Sequence, residues 1–314
     1  MRIPIRPLTG SWPLVMERRH RRFFWADPRV ILDPGVSRAD FSTAMSAICV
    51  GGTIKITGAN RHPMADQMLI DNVDLSDATI LDIGASDGST SVDLIRRLPT
   101  FKEYILADLH FHISAKRVGR RTFFYDSDGT TVLVVGPRAI AWPSTSRLVR
   151  LLYGSADRRA RRSRSPMIPL LLLNPAAREL IDTDPRVSYQ VHDVFTPWTE
   201  PRPTVIKVAN VLRRLYFTDE MISSGLCTIL ASLDEGGYLL IVDNVRMKGV
   251  PPRAGLYRRV DGRFQMVAET PDGPEIAELV GRVSLPPEQP SSHHAQTIPR
   301  QSAGPEMMER EAHL

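Results

Sequence analysis

Apolar positions along this chain switch between two periods, and the switches mark the elements. Residues 78–97 open with a short apolar run rich in β-branched residues, Thr79, Ile80, Leu81 and Ile83. Such a run suits a parallel strand covered on both faces. Gly84 and Gly88 bracket the loop after it, and Val92, Ile95 and Leu98 then recur at helical spacing until Pro99. Ser89, Thr90 and Ser91 are candidate N-caps for that helix. Similar runs predict a second strand over 104–106 that ends in Ala107-Asp108, and a third over 187–195 that ends at Asp193. They predict a fourth over 203–212 and a fifth over 238–242. Pro175 opens a short helix before the third strand. Thr218 caps a long one before the fifth, with Ile222, Leu226, Ile229, Leu230 and Leu233 on its core face.

The flanks read differently. Ser37 predicts a helix carrying Phe41, Met45 and Ile48, residues 53–57 a short strand, and Pro63 the start of another helix. Residues 122–136 alternate around Asp126-Ser127-Asp128-Gly129, which predicts a hairpin. Residues 144–153 predict a helix with Leu148, Val149, Leu151 and Leu152 on one side, and the arginine run after it reads as a flexible, solvated loop. Asp261-Gly262 between two alternating runs is a hairpin signal. The expected fold class is α/β: a Rossmann-like doubly wound, mostly parallel sheet with helices on both faces. To it are added an N-terminal helical cap, an insertion after strand 2 and a C-terminal β-hairpin. The expected division is a cap over 1–77, a core over 78–282 with the insertion at 110–175, and a disordered tail over 283–314, where Pro, Ser and Gln leave little to bury.

Composition adds bounds. At 314 residues the chain can bury a large core, and 42% hydrophobic with 24% charged residues is an ordinary globular balance. The net charge of +5 is too small to imply nucleic-acid binding, and no base-flipping motif occurs. Cys49 and Cys227 lie far apart in apolar stretches and read as thiols in a reducing cytoplasm. No run of 18 apolar residues is present, so no transmembrane segment is expected. A basic cluster, Arg18, Arg19, His20, Arg21 and Arg22, followed by Phe23, Phe24 and Trp25, reads as a solvated helix face with an aromatic anchor. The arginines and leucines of 146–175 admit, as a minor alternative, contact with a membrane surface.

Candidate chemistry concentrates at the strand ends. Glycine allows positive φ and close approach of a ligand to the backbone. A carboxylate at the end of the second strand, about 20 residues past such a loop, can accept from ribose hydroxyls, and Asp108 stands there. Asp193 can accept from the exocyclic amine of a base. Asp82-Ile83-Gly84-Ala85-Ser86-Asp87-Gly88, Ala107-Asp108, His192-Asp193-Val194-Phe195, Asn210-Val211-Leu212 with Leu215, Tyr216 and Phe217, and the stretch 233–242 occur in one order. In that order they resemble the motifs of class I S-adenosylmethionine-dependent methyltransferases, over about half the chain.

The resemblance implies S-adenosyl-L-methionine as cofactor and methyl transfer to a small-molecule or protein side-chain acceptor. It implies cofactor contacts from Asp82, Gly84, Ala85, Ser86, Gly88, Asp108, Leu109, Asp193, Val194 and Asn210. No catalytic residue is assigned, and Asn210, Tyr216 and His110 are the candidates. Ser86 stands where a glycine is common, and Lys207, a charge inside an apolar strand, is expected to snorkel outward. Two alternatives remain. One is a non-catalytic relative that binds the cofactor. The other is an NAD-dependent oxidoreductase, which the Gly84-x-x-x-Gly88 spacing disfavours.

Overall fold

The computed structural model describes residues 4–10, 12, 13, 16, 24, 26–51, 53–55, 58–244 and 250–286. Strand β1 (Ile5–Pro7) leads to helix α1 (Arg38–Met45), the ribbon β2 (Cys49–Val50) and β3 (Thr53–Ile54), and helix α2 (Pro63–Asn72). Strand β4 (Thr79–Ile83), helix α3 (Ser89–Ile95) and strand β5 (Glu103–Asp108) follow. Then come β6 (His112–Val118), β7 (Arg121–Tyr125), β8 (Thr131–Val135), β9 (Ala139–Ala141), helix α4 (Arg147–Arg162) and β10 (Met167–Leu171). Helix α5 (Pro175–Thr183), β11 (Val187–Val191), β12 (Val205–Ala209), helix α6 (Asp219–Ser232) and β13 (Tyr238–Asp243) come next. The hairpin β14 (Arg253–Val260) and β15 (Arg263–Glu269) precedes a short α7 (Ala277–Val280).

The fold is α/β with two large sheets. One has the order β11-β5-β4-β12-β13-β14-β15. Its first five strands are parallel, and the order reverses between β4 and β12. That reversal is where open α/β sheets form their ligand crevice. The hairpin adds two antiparallel pairings, so this sheet is mixed. The other sheet, β1-β9-β8-β7-β6-β10, is antiparallel throughout. The parallel pairings expected are thus confined to five strands of one sheet, and the chain also forms an antiparallel sheet that the single expected sheet did not include. Tight turns such as Gly119 and Asp126–Gly129 join neighbouring strands directly, which is open only to antiparallel pairs.

Strand alternation explains the layering. Ile80, Tyr104, Leu106, Val205 and Leu240 face one side with α2, α3 and α5, and Leu81, Ile83, Ile105, Ile206 and Ile241 face the other with α6. Both faces are covered, as the continuous apolar runs require.

Three expectations are corrected around this frame. The N-terminal cap is not helical throughout: β1 pairs with β9, and Leu8 and Phe24 are buried in the core of the antiparallel sheet. The arginine run after 153 is helix, because Tyr153, Ala156 and Ala160 keep an inward face on that sheet and Lys116 Nζ donates to the carbonyls of Arg161 and Ser163 at its end. The chain stays packed past 283, since Val283 is buried and Ser284 bridges to Arg263. Residues 287–314 of the expected tail, Arg18–Arg22, Phe23 and Trp25 lie outside the described residues. Cys49 is buried and Cys227 half-buried.

Candidate functional site

A cavity of about 820 Å³ opens at the carboxyl ends of the parallel strands. The turn after β4 supplies Gly84, Ala85, Ser86 and Asp87, the end of β5 supplies Asp108, Leu109 and His110, and the chain after β11 supplies His192, Asp193, Val194 and Phe195. The turn after β12 adds Asn210, Val211, Arg213, Tyr216 and Phe217. The N-terminal segment closes another side with Gly51, Lys55, Arg61 and His62, and Asn244 follows β13.

The glycine turn is held tightly. Gly84 has φ +80°, and a Cβ there would lie 2.1 Å from Val211 Cγ2, so only glycine fits. Ser86 takes φ +58°, the left-handed conformation that a glycine would take easily. Its N–H donates to Asp108 Oδ2 at 2.9 Å, which helps to hold that conformation. Ser86 Oγ is buried beside the cavity with no hydrogen-bond partner among the described residues. Helix α3 starts from Gly88 at φ +78°, and Asp87 Oδ1 accepts from Ser89 N. The expected Ser/Thr cap is not made: Gly88 is the N-cap, and Asp87 before it takes the first helical N–H.

Asp108 is held on both carboxylate oxygens in the cavity wall. Its Oδ1 accepts from Lys55 Nζ at 2.5 Å and from His110 N at 2.8 Å, and its Oδ2 from Ser86 N. A carboxylate offers about four acceptor positions, so one remains at Oδ2 for a hydroxyl from the cavity. Asn210 adopts φ +60°, tolerated by asparagine. Its N–H donates to Val242 O and its Oδ1 accepts from Asn244 N at 2.7 Å, locking the ends of β12 and β13 together. Asp193 Oδ1 accepts from Phe195 N, which holds the turn that follows β11.

Two residues expected in the site are elsewhere. Asp82 does not line the cavity: its carboxylate accepts from Ser91 Oγ and Tyr104 Oη, both at 2.8 Å, within the layer under α3. Gly88 is backed by Ala177 Cβ and Leu106 Cδ2, 2.8 and 3.0 Å from where its Cβ would stand, and serves helix packing. Lys207 is also corrected: it is fully buried, 3.3 Å from Asp66 Oδ1 and 3.9 Å from Asp82 Oδ2. Burial opposes its charge, but the Asp82 and Asp66 carboxylates outweigh burial and raise its pKa above the ordinary value.

Sequence reasoning missed Lys55, Arg61, His62 and Arg213. His62, at the N-cap of α2, is 3% exposed; its Nε2 accepts from Asn244 Nδ2 at 3.0 Å, and its Nδ1 has no partner among the described residues. Burial first, then Lys207 and Arg61, push its pKa well below the usual imidazole range. His110 is also lowered, by burial and then Lys55. In both rings burial favours the neutral form. The His-Pro pair opening α2 was the available signal for His62.

No protein-family model matches the chain, and no curated protein matches it. Solved structures do. Mitomycin 7-O-methyltransferase MmcR is 16% identical with a TM-score of 0.30, over 70% of this chain and 43% of that one. An O-methyltransferase family 2 protein from Planctomyces limnophilus, in complex with apigenin, is 15% identical with a TM-score of 0.28, over 55% and 33%. The [4+2]-cyclase SpnF is 14% identical with a TM-score of 0.29, over 57% and 43%. The chain spans less than half the length of each of these three.

Proposed function

We propose that the chain binds S-adenosyl-L-methionine in the 820 Å³ cavity and transfers its methyl group to a small-molecule or protein side-chain acceptor. One observation carries the reading. The turns after four neighbouring parallel strands bring Gly84–Ser86, Asp108, Asp193–Val194 and Asn210 to one cavity, in the order of the motifs they resemble. The residues fit the group. A turn without a side chain at Gly84, the orphaned Ser86 Oγ and the remaining acceptor position of Asp108 suit a ligand with backbone-facing bulk and hydroxyls.

The bound cofactor supplies an activated methyl group, so the protein's work is alignment and, for some acceptors, proton removal. In this reading Asp108 holds the ribose hydroxyls, Asp193 and Val194 the adenine, and Asn210 the mouth toward the acceptor. Leu109 and Ala85 line the cofactor's flank. His110, neutral and beside Asp108, is the first candidate for a base, and Tyr216 lines the acceptor side. The same reading makes 78–282 the core, with 110–175 inserted after its second strand, in a cytoplasmic enzyme.

Calorimetric titration with S-adenosylmethionine, S-adenosylhomocysteine and NAD tests the reading. Binding of the two adenosyl compounds and not of NAD is expected. Binding of NAD alone would overturn the proposal, and binding of none would point to a relative that has lost the cofactor.

A further inference from the structure

Helix α4 has two opposite faces. Its inner face, Tyr153, Ala156 and Ala160, packs on the antiparallel sheet with Phe123, Tyr125 and Val134, and Val149 on the same side is buried. Arg161 lies over the Tyr125 ring and pairs with Asp157, and Thr131 Oγ1 donates to Asp157, so the helix is fastened from below. Its outer face is apolar at the start and cationic at the end. Leu148, Leu151 and Leu152 are 66, 79 and 61% exposed, three leucines at helical spacing. Arg158, Arg159 and Arg162, all exposed, continue the same face for the last two turns. From 147 to 164 there are seven arginines and a single acid, Asp157, already paired, so this stretch holds more positive charge than the net +5 of the whole chain.

We propose that α4 is the surface by which the protein docks on an anionic phospholipid bilayer, lying in the interface with the three leucines among the acyl-chain ends and the arginines on the headgroups. An exposed leucine cluster loses contact with water only against an apolar partner, and a basic helix face adds attraction to anionic lipid. A second copy of the chain is a poorer occupant, because a two-fold contact through this face would set the arginine clusters against each other. Polyanions such as nucleic acid would engage the arginines and leave the leucines in water. The inference is independent of the reading of the cavity.

The test is co-sedimentation of the full chain with vesicles of phosphatidylcholine, and of phosphatidylcholine mixed with phosphatidylglycerol. Binding to the mixed vesicles, weakened by salt and much weaker on phosphatidylcholine alone, is expected. Arg158→Gln with Arg159→Gln and Arg162→Gln should weaken it roughly 100-fold. Leu148→Ser with Leu151→Ser should weaken it by about tenfold or more while keeping the circular-dichroism melt of the parent, since both side chains are exposed. Failure to bind the mixed vesicles, or binding indifferent to both sets of substitutions, would overturn the proposal. So would a dimer of the parent that the leucine substitutions dissociate.

Discussion

Replacing Lys207 by methionine tests the buried charge layer that ties α2 to the parallel sheet. Lys207 sits on β12 directly beside Asp82 of β4, with Asp66 of α2 above it. At 3.3 and 3.9 Å, and with an effective dielectric of about 20, the two attractions are roughly 5 and 4 kcal/mol. Burying the ammonium offsets several kcal/mol of that gross figure. Methionine fills most of the volume but leaves two carboxylates in an apolar layer, with Asp66 keeping only Arg97, at 3.7 Å, as an ion-pair partner among the described residues. The net loss expected is about 3–5 kcal/mol at pH 7, read by urea unfolding. The sign with pH follows from Asp66. Burial already holds its pKa above the ordinary carboxylate value. Without the ammonium it rises further, so the folded variant binds a proton that the unfolded chain lacks. The loss should therefore shrink as pH falls from 7 toward 5. Adding Asp66→Leu should recover part of the loss, because one stranded carboxylate is gone. A loss below about 1 kcal/mol at pH 7, or one unchanged at pH 5, would refute the reasoning.

Other outcomes follow from the same structure. Gly84→Ala should lose roughly 1–3 kcal/mol of stability and most S-adenosylhomocysteine affinity, since the new Cβ meets Val211 at positive φ; urea unfolding and calorimetry read both. Asp108→Asn should weaken S-adenosylhomocysteine by roughly tenfold or more and also lower stability in urea unfolding, as the charged acceptor for the buried Lys55 ammonium and for a hydroxyl is lost. Thr218→Ala removes the acceptor for Met221 N at the start of α6 and should cost about 1 kcal/mol in urea unfolding, with calorimetric affinity unchanged.

The parallel half of the fold was legible because its strands are continuous apolar runs closed by glycine or an acid. Gly84, Asp108, Asp193 and Asn210 were therefore readable as strand ends, and strand ends on one edge of a parallel sheet share a crevice. Lys207 was misread because its partner Asp66 lies 141 residues away, and no local pattern marks such a pair. Asp82 differs from the expectation for another reason: Ser91 and Tyr104 hold its carboxylate in the layer between the sheet and α3 rather than in the cavity. Lys55, Arg61 and His62 sit in segments too short and irregular to carry a period, so only tertiary packing delivers them to the site. The arginine run of α4 looked like loop by charge, yet Tyr153, Ala156 and Ala160 kept the helical spacing through it.

A crystal structure of the protein grown with S-adenosylhomocysteine tests the central claim most directly. The account predicts the ligand in the cavity, its amino-acid end against Gly84–Ser86, its ribose hydroxyls on Asp108 and its adenine beside Asp193 and Val194. Ligand bound outside that cavity, or bound there with the ribose away from Asp108, would contradict it.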